Sequence, residues 1–300
     1  MFRPDYLKQG DTICILSTAR FVELETIQPF IDWIESLGLK IRLGSTMSLK
    51  ENQYAGTDIE RAKDFQDAIR NPEIKAIWFA RGGYGSIRIF DDILWDEFIE
   101  NPKWLIGFSD ITIWHNLVNQ FYGIQSIHAL MPITFQTNTP EAIRYTAQMI
   151  MGERVEVLFP FASKNANFKA VSGEIIGGNL SILYSLLGTK TGFNTSGKIL
   201  YIEDIDEYLY HIDRIMISLK KAGKLSGLKA LLVGEFFDIK DNTIPFGKTY
   251  QEIVLEHCSE YGYPIIFDFP AGHIDNNHPI RLGAQVEISR QADQVNMKYS

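Results

Sequence analysis

Trp104-Leu-Ile-Gly-Phe-Ser-Asp-Ile-Thr-Ile-Trp-His115 changes its hydrophobic period partway along, and that change decides the fold. Trp104, Leu105 and Ile106 form a short apolar run bounded by Lys103 and Gly107, which predicts a buried strand. From Asp110 onward, Ile111, Trp114, Leu117 and Val118 recur at helical spacing. Gly107-Phe108-Ser109 is then a sharp turn from strand to helix. A hydroxyl at such a turn stands beside backbone N–H groups that the first helical turn leaves unpaired. The stretch is not the G-x-S-x-G nucleophile elbow, because Ile111 occupies the second glycine position. Two readings stay open on these residues: Ser109-Asp110 as an ordinary helix N-cap, or Ser109 as a nucleophile.

The same rhythm extends to both sides. Upstream, apolar runs at 12–17, 40–43 and 76–79 read as strands, separated by helices. One helix carries Ile27, Phe30, Ile31, Ile34 and Leu37 and stops at Gly38; the next opens with the capping box Thr57-Asp-Ile-Glu60 and carries Ile59, Phe65 and Ile69. The run at 76–79 leads straight into Arg81-Gly-Gly-Tyr-Gly85. Downstream come a short strand at 125–128 and a helix opened by Thr139-Pro140. Alternation of this kind predicts an open parallel sheet, and ligands of such sheets lie at the carboxyl ends of the strands. Periodicity lapses between 159 and 171 and then resumes, ending in a terminal hairpin at 285–289 and 294–298. The expectation is an α/β chain with an N-terminal domain at 1–160, a linker at 161–171 and a C-terminal α/β domain at 172–300.

Composition narrows the class of protein. The 300 residues are 45% hydrophobic and 22% charged, and the formal charge of −8 disfavours nucleic acid or an anionic membrane as partner. Met1-Phe-Arg-Pro-Asp-Tyr6 has no apolar leader core and no run is long enough to span a bilayer. Cys14 and Cys258 are the only cysteines, which suits a reducing compartment, so a cytoplasmic location is expected. Three near-motifs for nucleotides fail. Gly83-Tyr-Gly85 continues to Arg88 where a third glycine is needed; Gly192 to Lys198 precedes a strand instead of a helix; Phe246-Gly-Lys-Thr249 lacks its leading glycine. His273 and His278 with Asp275 do not have the spacing of a known metal signature, and no metal is expected.

A hydrolytic serine needs a base, a carboxylate to orient that base, and N–H donors for an oxyanion. Of six histidines, His115, His211 and His257 fall in or near helices, whereas His128 ends a strand and His273 follows one in the loop Phe269-Pro-Ala-Gly-His273. Glu203 closes a strand and begins the acidic run 203–207, a pattern that also describes a solvated turn. Spacing alone brings none of Ser109, Glu203 and His273 together.

With these residues in view, the chain resembles the serine LD-carboxypeptidases, the muramoyltetrapeptide carboxypeptidases and their microcin C immunity relatives. Six segments carry the resemblance in order: Leu7 to Ile13; Arg81 to Gly85 with Gly107-Phe-Ser-Asp-Ile-Thr112; Gly177-Gly-Asn-Leu-Ser181 with Leu186-Leu-Gly188; Ile202-Glu-Asp204; Tyr210-His-Ile-Asp-Arg214; and Gly272-His273 with Asn277, Pro279 and Leu282-Gly283. The resemblance implies a flavodoxin-like N-terminal domain bearing the serine and a smaller C-terminal α/β domain bearing acid and base. It implies Ser109 as nucleophile, His273 as base and Glu203 as its orienting acid, with an oxyanion hole from the N–H groups of Asp110 and Gly83. Arg81 is a candidate clamp for the substrate's terminal carboxylate, although a structural salt bridge would equally suit it. The implied substrate is a cytoplasmic murein tetrapeptide that loses a terminal D-alanine, with no cofactor, and the implied assembly is a homodimer. The nearest alternative is a microcin C-type amidase with the same triad. The family usually has His-Gly-Pro where this chain reads His128-Ala-Leu-Met-Pro132, which alters a pocket wall and leaves the triad intact.

Overall fold

The computed structural model describes residues 1–161, 168–189 and 192–300, and the chain forms two compact units. One comprises Met1–Arg154 with His278–Arg281, the other Val155–Asn277 with Leu282–Ser300. Six residues of the expected linker, 162–167, lie outside the described residues.

The first unit alternates strands β1 (Thr12–Leu16), β2 (Lys40–Leu43), β3 (Ile74–Phe79), β4 (Trp104–Gly107) and β5 (Ser126–His128) with helices. The helices are α1 (Leu24–Ser36), α2 (Asp58–Arg70), α3 (Asp96–Glu100), α4 (Thr112–Gln120) and α5 (Pro140–Ile150). The strands lie in the order β2-β1-β3-β4-β5, all paired in parallel, which is the flavodoxin order. A sixth strand, Ile280–Leu282, joins the sheet beside β5. Interior strands are apolar nearly throughout because helices cover both faces of such a sheet; β4 and β5 are buried at every residue, while edge strand β2 is mostly exposed.

Local rules account for the helices. Thr57 and Glu60 form the reciprocal capping box at the start of α2, and Thr139 caps α5 with Pro140 at its first position. The apolar face of α1 buries Ile27, Phe30, Ile31 and Ile34. Ile59 differs from expectation: it lies in the first turn of α2, off the buried face, and is 81% exposed. After Gly85 the chain forms a 3-10 segment, Ser86–Asp92, followed by the single-turn α3.

The second unit has one seven-stranded mixed sheet. Its elements are β6 (Glu156–Pro160), β7 (Ala170–Asn179), α6 (Leu180–Ser185), β8 (Ile199–Ile205), α7 (Leu209–Lys221), β9 (Ala230–Phe237), α8 (Tyr250–Cys258) and β10 (Ile265–Ile266). The strand Ile280–Leu282 is β11 in chain order, and β12 (Gln285–Gln291) and β13 (Gln294–Tyr299) close the chain. Strands β10-β9-β8-β7 pair in parallel, and β7-β12-β13-β6 continue antiparallel, with β12 and β13 as the expected hairpin. The inner face of α7 carries Ile212, Ile215, Met216 and Leu219. No helix among the described residues is long and apolar enough to cross a membrane.

Candidate active site

The serine stands where the sequence places it, at the carboxyl end of β4. Ser109–Ile111 is a 3-10 turn between β4 and α4, and Ser109 has φ +63°. Of six non-glycine residues with positive φ among those described, four are Asn or Asp, which tolerate that conformation; Ser109 has no such tolerance and must be held there. Several bonds do so. The buried His115 donates from Nε2 to the carbonyl of Gly107 at 2.8 Å, and the Ala129 N–H reaches the same oxygen at 3.2 Å. The Asp110 carboxylate turns inward and accepts the Ser86 N–H at 2.9 Å. Ser86 and Thr18 hydroxyls are 2.7 Å apart, and the Trp114 indole donates to Thr18 Oγ1 at 3.1 Å. Arg61, with no exposed surface, donates to the carbonyls of Thr18 and Gly85.

This ties the serine turn, the glycine loop after β3 and the end of β1 into one polar network. Burial pushes the Asp110 carboxyl up despite its bonds to Ser86, and burial drives the His115 imidazole down to about 4, so His115 is a neutral donor. The glycine loop approaches the serine through Gly82. A Cβ built on Gly82 would stand 3.1 Å from Ser109 Cβ, 3.3 Å from its Oγ and 3.4 Å from the Asp110 nitrogen. Gly83 follows with φ +106°, and a Cβ there would run into the Arg20 side chain. Arg81 is half-buried and donates to the Phe21 carbonyl at 3.3 Å.

Glu203 and His273 meet in the second unit. Glu203 has no exposed surface and accepts from His273 Nδ1 at 2.7 Å, a contact between residues 70 positions apart. Glu203 was expected to close this strand, but β8 runs on to Ile205, so Glu203 and Asp204 are buried strand residues and not a solvated turn. Two features bring the imidazole in. Gly272 has φ +126°, and a Cβ on it would be 3.1 Å from Glu203 Cβ and Oε2, so only glycine permits the approach. Asn277 Oδ1 accepts the Gly272 N–H at 3.0 Å and fixes the loop. Burial pulls the His273 imidazole down, but the Glu203 charge and hydrogen bond, helped by Asp204, outweigh it and leave His273 above the ordinary histidine value.

Asp204 is held separately. Its carboxylate accepts from Asn179 Nδ2 at 2.9 Å, from the Ser181 N–H and hydroxyl at 3.0 and 2.9 Å, and from the Ile205 N–H at 2.9 Å. Burial and the neighbouring Glu203 charge push it up to about 7. Asn179 also caps α6, so Gly177-Gly-Asn-Leu-Ser181 serves to hold the strand that carries Glu203. The remaining histidines are engaged elsewhere. His211 bonds Glu207, His257 bonds Asp213 at 2.7 Å, and His278 stands edge-on to Tyr145 with Glu141 3.6 Å away. His128 is buried, its ring 5.6 Å from that of Phe108. The single trio among the described residues with metal-binding proximity is Asp213, Glu256 and His257, and Glu256 is already paired with Lys248 at 2.6 Å.

The LD-carboxypeptidase N-terminal domain matches residues 13–129 and the LD-carboxypeptidase C-terminal domain matches residues 172–288. A probable murein peptide carboxypeptidase of Bacillus subtilis (strain 168) is 30% identical over 298 residues, covering 96% of this chain and 92% of that protein. The microcin C7 self-immunity protein of Escherichia coli is 25% identical over 321 residues, covering 94% and 91%. The crystal structure of muramoyltetrapeptide carboxypeptidase from Oxalobacter formigenes superimposes with a TM-score of 0.87 at 23% identity, covering 96% of this chain and 98% of that one, and so shares the fold. The chain therefore belongs to the LD-carboxypeptidase family of S66 peptidases, which are hydrolases.

Proposed function

We propose that this protein is a serine LD-carboxypeptidase that releases the terminal D-alanine from murein tetrapeptides in the cytoplasm during peptidoglycan recycling. The observation that carries the reading is the buried Glu203–His273 pair: a carboxylate with no exposed surface, bonded to one imidazole nitrogen at 2.7 Å, is how a general base is oriented. The strained backbone of Ser109 supports it, since strain persists where the surroundings over-determine it for a function. The Bacillus subtilis relative's name supports murein peptides as the substrate class.

In this reading His273 Nε2 takes the proton of Ser109 Oγ as the oxygen attacks the carbonyl joining an L-centre to the terminal D-residue. Glu203 holds the imidazole in its Nδ1–H tautomer and stabilises the imidazolium. The N–H groups of Asp110 and Gly83 receive the oxyanion, and Gly82, having no side chain, leaves Ser109 Oγ uncovered. His273 then protonates the leaving amine of D-alanine, and water attacks the acyl-enzyme by the reverse path. Arg81 binds the terminal carboxylate.

The test is mass spectrometry of L-Ala-γ-D-Glu-meso-diaminopimelyl-D-Ala incubated with the wild type and with Ser109→Ala. Loss of one D-alanine with the wild type alone carries the proposal. If both leave the tetrapeptide intact while the wild type cleaves a peptidyl or acyl-sulfamoyl adenylate, the protein is a microcin C-type amidase instead. Equal cleavage by both removes Ser109 as nucleophile.

A further inference from the structure

Arg20 is a residue that no motif draws attention to, and its surroundings are unusual. Its backbone is fixed: the Ser17 hydroxyl donates to the Arg20 carbonyl at 2.6 Å, and Arg20 forms an isolated bridge with Tyr54. Its side chain lies along Gly83. A Cβ on Gly83 would be 2.7 Å from Arg20 Cδ and 3.0 Å from its Nε, so the Arg20 side chain is seated against Gly83, next to Gly82, whose missing side chain would meet Ser109. Nε is buried and has no hydrogen-bond partner among the described residues.

Arg81 shares the same corner. Its guanidinium donates to the carbonyl of Phe21, the residue after Arg20, and the two cations repel: burial first, and the Arg20 charge second, hold Arg81 below its ordinary value. Neither arginine makes an ion pair among the described residues, although the chain carries eight more acidic than basic side chains. The nearby Asp110 carboxyl is lowered slightly by the Arg20 charge but forms no ion pair with it, and its Oδ2 accepts the Ser86 N–H. Two half-buried guanidiniums side by side with no counter-ion are costly unless an anion is to be bound there, and planar forks suit a carboxylate.

We propose that Arg20 and Arg81 together form a carboxylate-binding site beside Ser109 that recognises the free C-terminus of the substrate. This rests on the carboxypeptidase reading above and adds what makes the enzyme an exopeptidase. Arg81 anchors one fork on the Phe21 carbonyl, Arg20 presents the other along Gly83, and a terminal carboxylate relieves their repulsion. A C-terminal amide has no charge with which to do so.

The experiment uses full-length Ser109→Ala protein and a probe that needs no catalysis, N-acetyl-D-alanine against N-acetyl-D-alaninamide, with binding followed by NMR titration. We expect the acid to bind at least about tenfold more tightly than the amide, and Arg20→Gln in the same background to remove most of that preference without changing binding of the amide. Arg20→Lys should retain part of it, because the charge survives and the fork does not. Equal affinity for acid and amide in Ser109→Ala overturns the proposal whatever the wild type hydrolyses, and so does an unchanged preference in Arg20→Gln. Failure of the wild type to cleave murein peptides, with the acid preference present and dependent on Arg20, would instead sink the substrate assignment and keep the carboxylate site.

Discussion

Glu203 Oε2 holds His273 Nδ1 at 2.7 Å inside a unit where Glu203 has no contact with solvent, and the charge on that carboxylate reverses what burial alone would do to the imidazole. Removing the charge while keeping the shape should therefore let burial win. In Glu203→Gln the His273 titration, read by NMR of the imidazole protons, should move from above 6.5 to below it. The acidic limb of kcat/KM should follow it to lower pH, while the maximum rate falls by about 10³–10⁴ because the tautomer is no longer fixed. A titration that stays in place would mean the carboxylate does not control the imidazole.

The same pair sets a pH dependence of stability. His273 has a folded-state value above its unfolded value of 6.5, so its contribution is fully present below 6.5 and is lost as pH rises through the folded value. The stability difference between wild type and Glu203→Gln, measured by urea denaturation, should be about 1–3 kcal/mol near pH 6 and smaller at pH 8.5. A difference that grew with pH would contradict the assignment.

His115 works in the opposite sense. Burial holds it near 4 in the folded protein against 6.5 when unfolded, so the unfolded chain binds the extra proton between those values. Stability should fall as pH drops through that window, by about 1.4 kcal/mol per unit for one proton and about 3 kcal/mol across it. His115→Gln, which keeps a donor for the Gly107 carbonyl, should flatten that slope. An unchanged slope would assign the acid sensitivity to other groups.

Ser109 holds its position with a left-handed backbone, and two variants that both lack the hydroxyl isolate that strain. Ser109→Gly should be more stable than Ser109→Ala by about 1 kcal/mol, because glycine accepts φ +63° and alanine does not. Differential scanning calorimetry of the two proteins decides it; equal melting temperatures would mean that the turn relaxes and stores nothing.

Gly82→Ala tests the close approach of the glycine loop. The added methyl would meet Ser109 Cβ at 3.1 Å and Oγ at 3.3 Å, so the loop or the serine must shift by a few tenths of an ångström. Catalytic geometry is more sensitive than folding to such a shift. The expected outcome is a fall in kcat of about 10–100-fold with a melting temperature within a few degrees of wild type. Full activity would show that the loop yields freely.

Much of this was legible in the sequence, for identifiable reasons. Parallel strands buried on both faces leave short apolar runs, and Trp104 to Ile106 marks one as clearly as Thr57 and Glu60 mark a helix start. Glu203 was harder: an acidic run suggests solvent, and only the third dimension shows that Asn179 and Ser181 take up Asp204 so that the run can enter the sheet. Ile59 misled because helical spacing does not say which turn reaches the core. Arg20 was invisible, and so was the closeness of Gly82 to Ser109 within an otherwise recognisable glycine loop, because close approach across loops leaves no periodic trace.

The short strand Ile280–Leu282 borders β5, although some 150 positions of chain separate the two. The segment His278–Arg281, which includes its first two residues, belongs to the first compact unit, whereas the chain on both sides of that segment belongs to the second. On a ribosome the first unit would thus emerge with its β5 edge uncovered and would keep it so until nearly the whole chain had been made. An uncovered edge strand invites pairing with other chains. Cutting the gene at the apparent domain boundary would make that immaturity permanent, and a fragment ending near residue 154 should be recovered as aggregate unless the 278–282 segment is supplied as a peptide.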